Sequence, residues 1–113
     1  VLQPDLTHCC GFAVARLIGM LCAAEHLRLS PHVWGTGIGL AAALHFLAAL
    51  PSYPHNDHVP WPPLLEYDVG DNALQSGLFT EPLRYRNGML DVPDGPGLGI
   101  TLDRDAVKRF SPA

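Results

Sequence analysis

The chain is short of charge, short of cysteine and lacks any basic cluster, and each shortage removes a class of function. Charged residues make up 16% of its 113 residues, and the formal net charge is −4. Nucleic-acid binding leaves an electrostatic footprint of clustered Lys and Arg, which is missing, so no nucleic-acid partner is expected. The longest nearly unbroken apolar run, residues 38–50 with His45 inside it, falls short of the ~20 residues a spanning helix needs, so no membrane partner is expected either. No basic stretch precedes a long apolar core at the N-terminus, the pattern a secretory leader requires. Cys9, Cys10 and Cys22 are odd in number and two of them are adjacent. That is not a disulfide framework, and free thiols in a reducing cytosol are the expectation.

What is present is an apolar-rich chain, 48% hydrophobic, with 11 Gly and 11 Pro, the composition of a small globular unit with many turns. Residues 1–3 read as the end of a strand closed by Pro4, which cannot donate to a ladder. Residues 11–26 read as a helix, with Phe12, Val14, Leu17, Ile18, Leu21 and Cys22 at helical spacing. Residues 27–30 are a second strand ended by Pro31, and together these form a strand–helix–strand unit of a parallel α/β fold. Thr36 is a candidate N-cap for a helix over 37–50, apolar nearly all round and therefore expected to be buried. Residues 51–63 carry too many prolines to be other than a surface connection. A third short strand is expected at 64–67, a helical turn near 72–77, and a hairpin around Asn87-Gly88, whose type I′ preference joins 83–86 to 89–92. A short helix over 103–110 takes Asp103 as N-cap.

Three polar residues follow the three strand-like stretches directly: Asp5, His32 and Glu66. In a (β/α) barrel the ends of successive parallel strands converge on one face, so such residues meet as a base, its partner and an acid. A histidine beside a carboxylate is a ready general base, the carboxylate fixing its tautomer and stabilising the imidazolium. A second carboxyl kept protonated in a low-dielectric pocket donates to a developing enolate oxygen, and Glu66 is placed for it. The competing reading makes Asp5 a turn cap, His32 a helix cap and Glu66 a solvated loop acid.

Other clusters compete less well. Gly35-Thr36-Gly37-Ile38-Gly39 follows a strand and opens a helix, but it is GxGxG rather than GxGxxG. Asp57, at the spacing of a ribose ligand, lies in the proline-rich stretch and not at a strand end. Those glycines admit either a substrate anion at the helix N-terminus or close packing of a tight loop. His55, Asp57 and His58 lack the paired motifs of a structural zinc site and read as surface residues, and His8 with Cys9 and Cys10 makes no better one. His45 reads as a satisfied core histidine, Cys22 as packing, and 93–99 as a turn-rich crossover lacking the lysine and helix of a phosphate loop.

Gln3-Pro4-Asp5, Ser30-Pro31-His32-Val33-Trp34-Gly35-Thr36-Gly37, Leu65-Glu66-Tyr67-Asp68, and the run from Asn87-Gly88 through Pro93-Asp94-Gly95-Pro96-Gly97-Leu98-Gly99 to Asp103 occur in that order. Together they make the chain resemble the C-terminal end of the enolase superfamily, in the mandelate racemase and muconate lactonizing enzyme group, over essentially its whole length. The resemblance implies the C-terminal part, about strands 6–8 with their helices, of a modified TIM (β/α) barrel over 1–82. Residues 83–113 would be a hairpin tail packing against a capping domain. It implies Asp5 and His32 as an Asp–His dyad and Glu66 as a hydrogen-bond donor to the intermediate, with Trp34, Gly35 and Thr36 contacting substrate.

Among members of the group, the loop and tail look nearest to sugar-acid cycloisomerases and dehydratases. These remove the proton next to a carboxylate of a sugar acid or its lactone with Mg²⁺ as cofactor, and a symmetric homo-oligomer is implied. No metal ligand is expected among these residues. The Mg²⁺ ligands of the family would lie ahead of Val1, which opens inside a strand of a fold needing about 250 residues. The chain is therefore expected to be a C-terminal piece, inactive by itself. A non-catalytic remnant held by a partner chain, and a small nucleotide-binding module, are the other two readings. One departure from the family pattern is Cys10, which stands before Gly11 where two glycines are usual, a position where a side chain strains the turn.

Overall fold

The computed structural model describes residues 1–51 and 63–112. His55, Asp57, His58 and nearly all of the expected connection over 51–63 lie outside the described residues. Two helices dominate, α1 at Phe12–Ala24 and α2 at Gly37–Ala48. A single turn, α3, follows at Ala73–Ser76, then a hairpin of β1 (Tyr85–Arg86) and β2 (Met89–Leu90), then α4 at Arg104–Phe110.

Of the three expected strands, the first two meet in one parallel bridge and the third is tied on by a single backbone bond. Leu2 donates its N–H to Arg28 O at 2.8 Å and Ser30 donates to Leu2 O at 2.9 Å, pairing Leu2 with Leu29 in parallel. Further along, His32 N–H reaches Pro4 O at 3.2 Å, and Glu66 N–H reaches Pro31 O at 3.4 Å. The stretch over 64–67 is an extended segment held by that last bond rather than a strand. Pro4 and Pro31 carry no N–H, so rungs that a continuous ladder would use cannot form.

α2 is the buried centre, as its all-round apolar character predicts. Gly37, Leu40, Ala41, Ala43, Leu44, Phe46 and Leu47 are all buried. Leu40, Ala43 and Phe46 join Leu6, Ala15 and Val33 in one core, with Leu29, Leu65, Tyr67, Leu83 and Leu90 packed against it. Burying a side chain the size of Phe46 contributes about 1.5–3 kcal/mol. Thr36 does stand at the N-cap of α2, yet its hydroxyl makes no capping bond.

α1 turns a different side inward from the one its large residues mark. Its buried positions are Ala15, Gly19 and Cys22, a four-then-three spacing that forms one stripe. Of the bulky stripe, Phe12, Val14, Leu17 and Leu21 are exposed. Small residues prevail because the end of α2 and the residues just after it come close: a Cβ on Gly19 would lie 3.7 Å from Phe46 Cζ and 2.7 Å from Leu50 Cδ2. The outward face is consequently apolar, Leu21 being 65% exposed.

The remaining caps and turns follow local chemistry. Asp103 accepts from Asp105 and Ala106 N–H at 2.9 and 3.1 Å. Asn87 and Gly88 both have positive φ, 52° and 79°, as a type I′ turn requires. They set Tyr85 opposite Leu90 and Arg86 opposite Met89. The tail packs back on the core side: Thr80 N–H donates to Thr101 O at 3.0 Å, Asp103 N–H to Leu78 O at 2.9 Å, and Tyr85 stacks on Tyr67 at 5.0 Å. His45 donates from Nε2 to Leu98 O at 3.2 Å, which makes it a partnered, half-buried histidine between α2 and the 93–99 turn.

Candidate active site

The backbone bonds fix a register that matters for chemistry. In a parallel pair, an N–H of one residue meets the carbonyl that precedes its partner. The bond from His32 to Pro4 therefore sets His32 beside Asp5, and the bond from Glu66 to Pro31 sets Glu66 beside His32. Asp5, His32 and Glu66 stand in one row across three adjacent segments, the first two paired in parallel. Residues in such a row share a face of the pleat.

Within the row, His32 and Glu66 are joined directly. His32 donates from Nδ1 to Glu66 Oε2, and the side chains are 41% and 39% exposed. Glu66 Oε2 also receives the Val33 N–H at 3.4 Å, so the carboxylate grips the loop start as well as the ring. With its proton on Nδ1, a neutral imidazole keeps its lone pair on Nε2, and Nε2 is the basic atom of the site.

Asp5 is differently engaged. Its Oδ1 accepts from Thr7 N–H at 2.7 Å and from the Thr7 hydroxyl at 2.6 Å. His8 Nδ1 stands 3.0 Å from Oδ2, without the alignment of a hydrogen bond, and that oxygen is otherwise buried and unbonded. Burial pushes the Asp5 carboxyl up, but the Thr7 bonds and His8 together outweigh it and hold the group below its ordinary value. Asp5 is a carboxylate at neutral pH. The ring partner expected from the resemblance was Asp5; among the described residues the one bonded to the His32 ring is Glu66.

The expected substrate contacts lie on the loop leaving His32. Trp34 is 72% exposed. Gly35 has φ +129°, and its carbonyl is taken by Asn72 Nδ2 at 3.1 Å. Thr36 ends the loop at the start of α2. An open cleft of about 480 Å³ lies beyond Glu66, lined by Tyr67, Asp68, Asn72, Gln75 and Tyr85 among others, and none of the three row residues lines it. Asn72 is the residue that the sequence did not single out. The helical turn at 72–77 was legible, but nothing in the sequence tied its cap to Gly35.

No group of three His, Cys, Asp or Glu side chains among the described residues is arranged to hold a metal. None of the three cysteines is in a disulfide; Cys22 is buried and Cys10 exposed. No helix among the described residues is long and apolar enough to cross a membrane.

Comparison with known proteins agrees with this architecture. Residues 1–106 match the family of enolase C-terminal domain-like proteins. The chain is 44% identical over 110 residues to D-galactarolactone cycloisomerase of Agrobacterium fabrum, covering 97% of this chain and 29% of that protein. It is 36% identical to arabinonate dehydratase of Saccharolobus solfataricus, over 95% of this chain and 26% of that one. The crystal structure of 3,6-anhydro-D-galactonate cycloisomerase from Zobellia galactanivorans superposes with a TM-score of 0.77 at 33% identity, covering 96% of this chain and 28% of the other. The chain thus spans less than a third of the length of each of these proteins. Its match along 1–106 and the shared architecture place it in the enolase superfamily, in the mandelate racemase and muconate lactonizing enzyme group, as part of the α/β barrel domain.

Proposed function

We propose that this chain supplies the proton-abstracting side of an enzyme that removes the proton α to the carboxylate of a sugar acid or its lactone, leading to cycloisomerisation or dehydration. The observation that carries it is the row Asp5–His32–Glu66 with the His32 ring held through Nδ1. Relatives named for sugar-acid chemistry, a galactarolactone cycloisomerase and an arabinonate dehydratase, support the substrate class.

His32 Nε2 takes the proton from the carbon next to the carboxylate. As the ring becomes imidazolium, Glu66 keeps its Nδ1–H bond and sets a negative charge against it, while the Asp5 carboxylate lies one position along the row. Trp34 walls the approach, and the Gly35 and Thr36 backbone closes it towards α2. Elimination of a leaving group at the neighbouring carbon, or opening of a lactone ring, both begin with this one abstraction.

The Mg²⁺ implied by the superfamily finds no matching ligand set among the described residues, since Glu66 is bonded to His32 and Asp5 to Thr7. No step is derived through it. The test is exchange of the substrate's α-proton in D₂O by the complete enzyme. His32→Asn is expected to abolish it, and undiminished exchange would remove His32 from the proton transfer.

A further inference from the structure

We propose that Asn72 is a positioning residue for the substrate-contacting loop, and that Glu66 and Asn72 hold the two ends of the segment from Val33 to Gly35 as a pair. This rests on the functional reading above for what the loop contacts, though the tie itself stands on geometry alone.

Asn72 uses its whole hydrogen-bonding capacity. A carboxamide has two N–H donors and an oxygen with two lone pairs. Its Oδ1 accepts from Leu74 and Gln75 N–H at 3.1 and 3.2 Å, capping α3. Its Nδ2 donates to Gly35 O at 3.1 Å and to Asp68 Oδ2 at 3.2 Å. The two halves of one side chain thus do different jobs. The oxygen starts a helical turn, and the nitrogen reaches 37 residues back in sequence to the carbonyl one residue after Trp34.

A second contact fixes the same loop to the same turn. Gly37 is buried, and a Cβ there would collide with Gln75 O and the Phe79 ring. Close approach of backbone to backbone is what the glycine permits. At the other end, Glu66 takes the Val33 N–H and the His32 ring together. Trp34 therefore sits between an anchor at Glu66 and an anchor at Asn72, both belonging to residues 64–77. Of the two openings for the Gly35-Thr36-Gly37 run, packing against α3 accounts for Gly37.

Substitution separates the cap from the tie. Asn72→Asp keeps an oxygen acceptor for Leu74 and Gln75, since Asp caps as well as Asn, but it cannot donate to Gly35. Asn72→Ser keeps a capping oxygen without adding charge beside Asp68 and is too short to reach the loop. In the complete enzyme both variants are expected to shift the Trp34 and Gly35 backbone resonances while the Leu74 and Gln75 amides stay near their wild-type positions. KM for a sugar-acid substrate should rise about fivefold, the factor that one hydrogen bond of ordinary net strength represents, with kcat changed less. Unmoved Trp34 and Gly35 resonances, or a loop shift with unchanged KM, would overturn the proposal. His32→Asn measured alongside reports on the functional reading separately, because its effect on α-proton exchange does not depend on Asn72.

Discussion

His32 is held by Glu66, not by Asp5, although both acids flank it in the same row: the ring donates from Nδ1 to Glu66 Oε2, and Asp5 uses its Oδ1 to accept both the amide and the hydroxyl of Thr7. The carboxylate that orients the ring thus comes from the segment following it in the chain. In the proposed reaction two jobs would fall to Glu66, fixing the tautomer that leaves Nε2 basic and balancing the charge when the ring is protonated.

Those jobs come apart on substitution. Glu66→Gln retains an oxygen that accepts the Nδ1–H but loses the charge, whereas Glu66→Ala loses both. The expected order of α-proton exchange is wild type, then Glu66→Gln, then Glu66→Ala. The alanine variant should be slowed by roughly 10²-fold, the lower end of what a positioned acid–base pair contributes. Asp5→Asn should cost less than Glu66→Ala. Exchange rates in D₂O decide it, and a larger loss in Asp5→Asn would transfer the orienting role to Asp5.

Much of this site was legible because strand ends leave strong local marks. Pro4 and Pro31 punctuate two apolar stretches, and the polar residues just beyond them stand where parallel segments converge. Asp103, Asn87 and Gly88 were equally readable, since a cap and a type I′ turn depend on a few adjacent residues. The Asp5 turn cap was among the readings the sequence allowed, but the choice between Asp5 and Glu66 as ring partner was not readable, because it turns on a contact between residues 34 apart in the chain. Of the inward side of α1, only Cys22 was readable. Periodicity marks the large residues, but the short distance to Leu50 and Phe46 selects Ala15, Gly19 and Cys22.

Cys10, where the resemblance leads one to expect a glycine, sits in a conformation that glycine adopts without strain. It has φ +68° and an exposed side chain, and Gly11 follows at φ +81°. A side chain in the left-handed region costs roughly 1–2 kcal/mol relative to glycine, offset in part by the greater freedom glycine has when unfolded. Cys10→Gly is expected to stabilise the protein by about 0.5–1 kcal/mol. The midpoint of denaturant unfolding measures it, and a lower midpoint would show that the turn is not strained by the side chain.

Asp5 gives the fold an acid-sensitive element whose sign can be worked out. Burial raises its carboxyl, and the Thr7 bonds with His8 lower it further than burial raises it, so its folded value lies below its unfolded one. A group of that kind contributes stability that is complete above the unfolded carboxylate value, about pH 4, and disappears as pH falls through the folded value. Asp5→Asn keeps an oxygen for Thr7 but carries no charge to titrate. The wild type should therefore be the more stable of the two at pH 6–7, and the gap should narrow as pH drops below about 4. Thermal melts of both proteins across that range test this. A gap that stays constant or widens on acidification would mean that the charge on Asp5 is not what Thr7 and His8 stabilise.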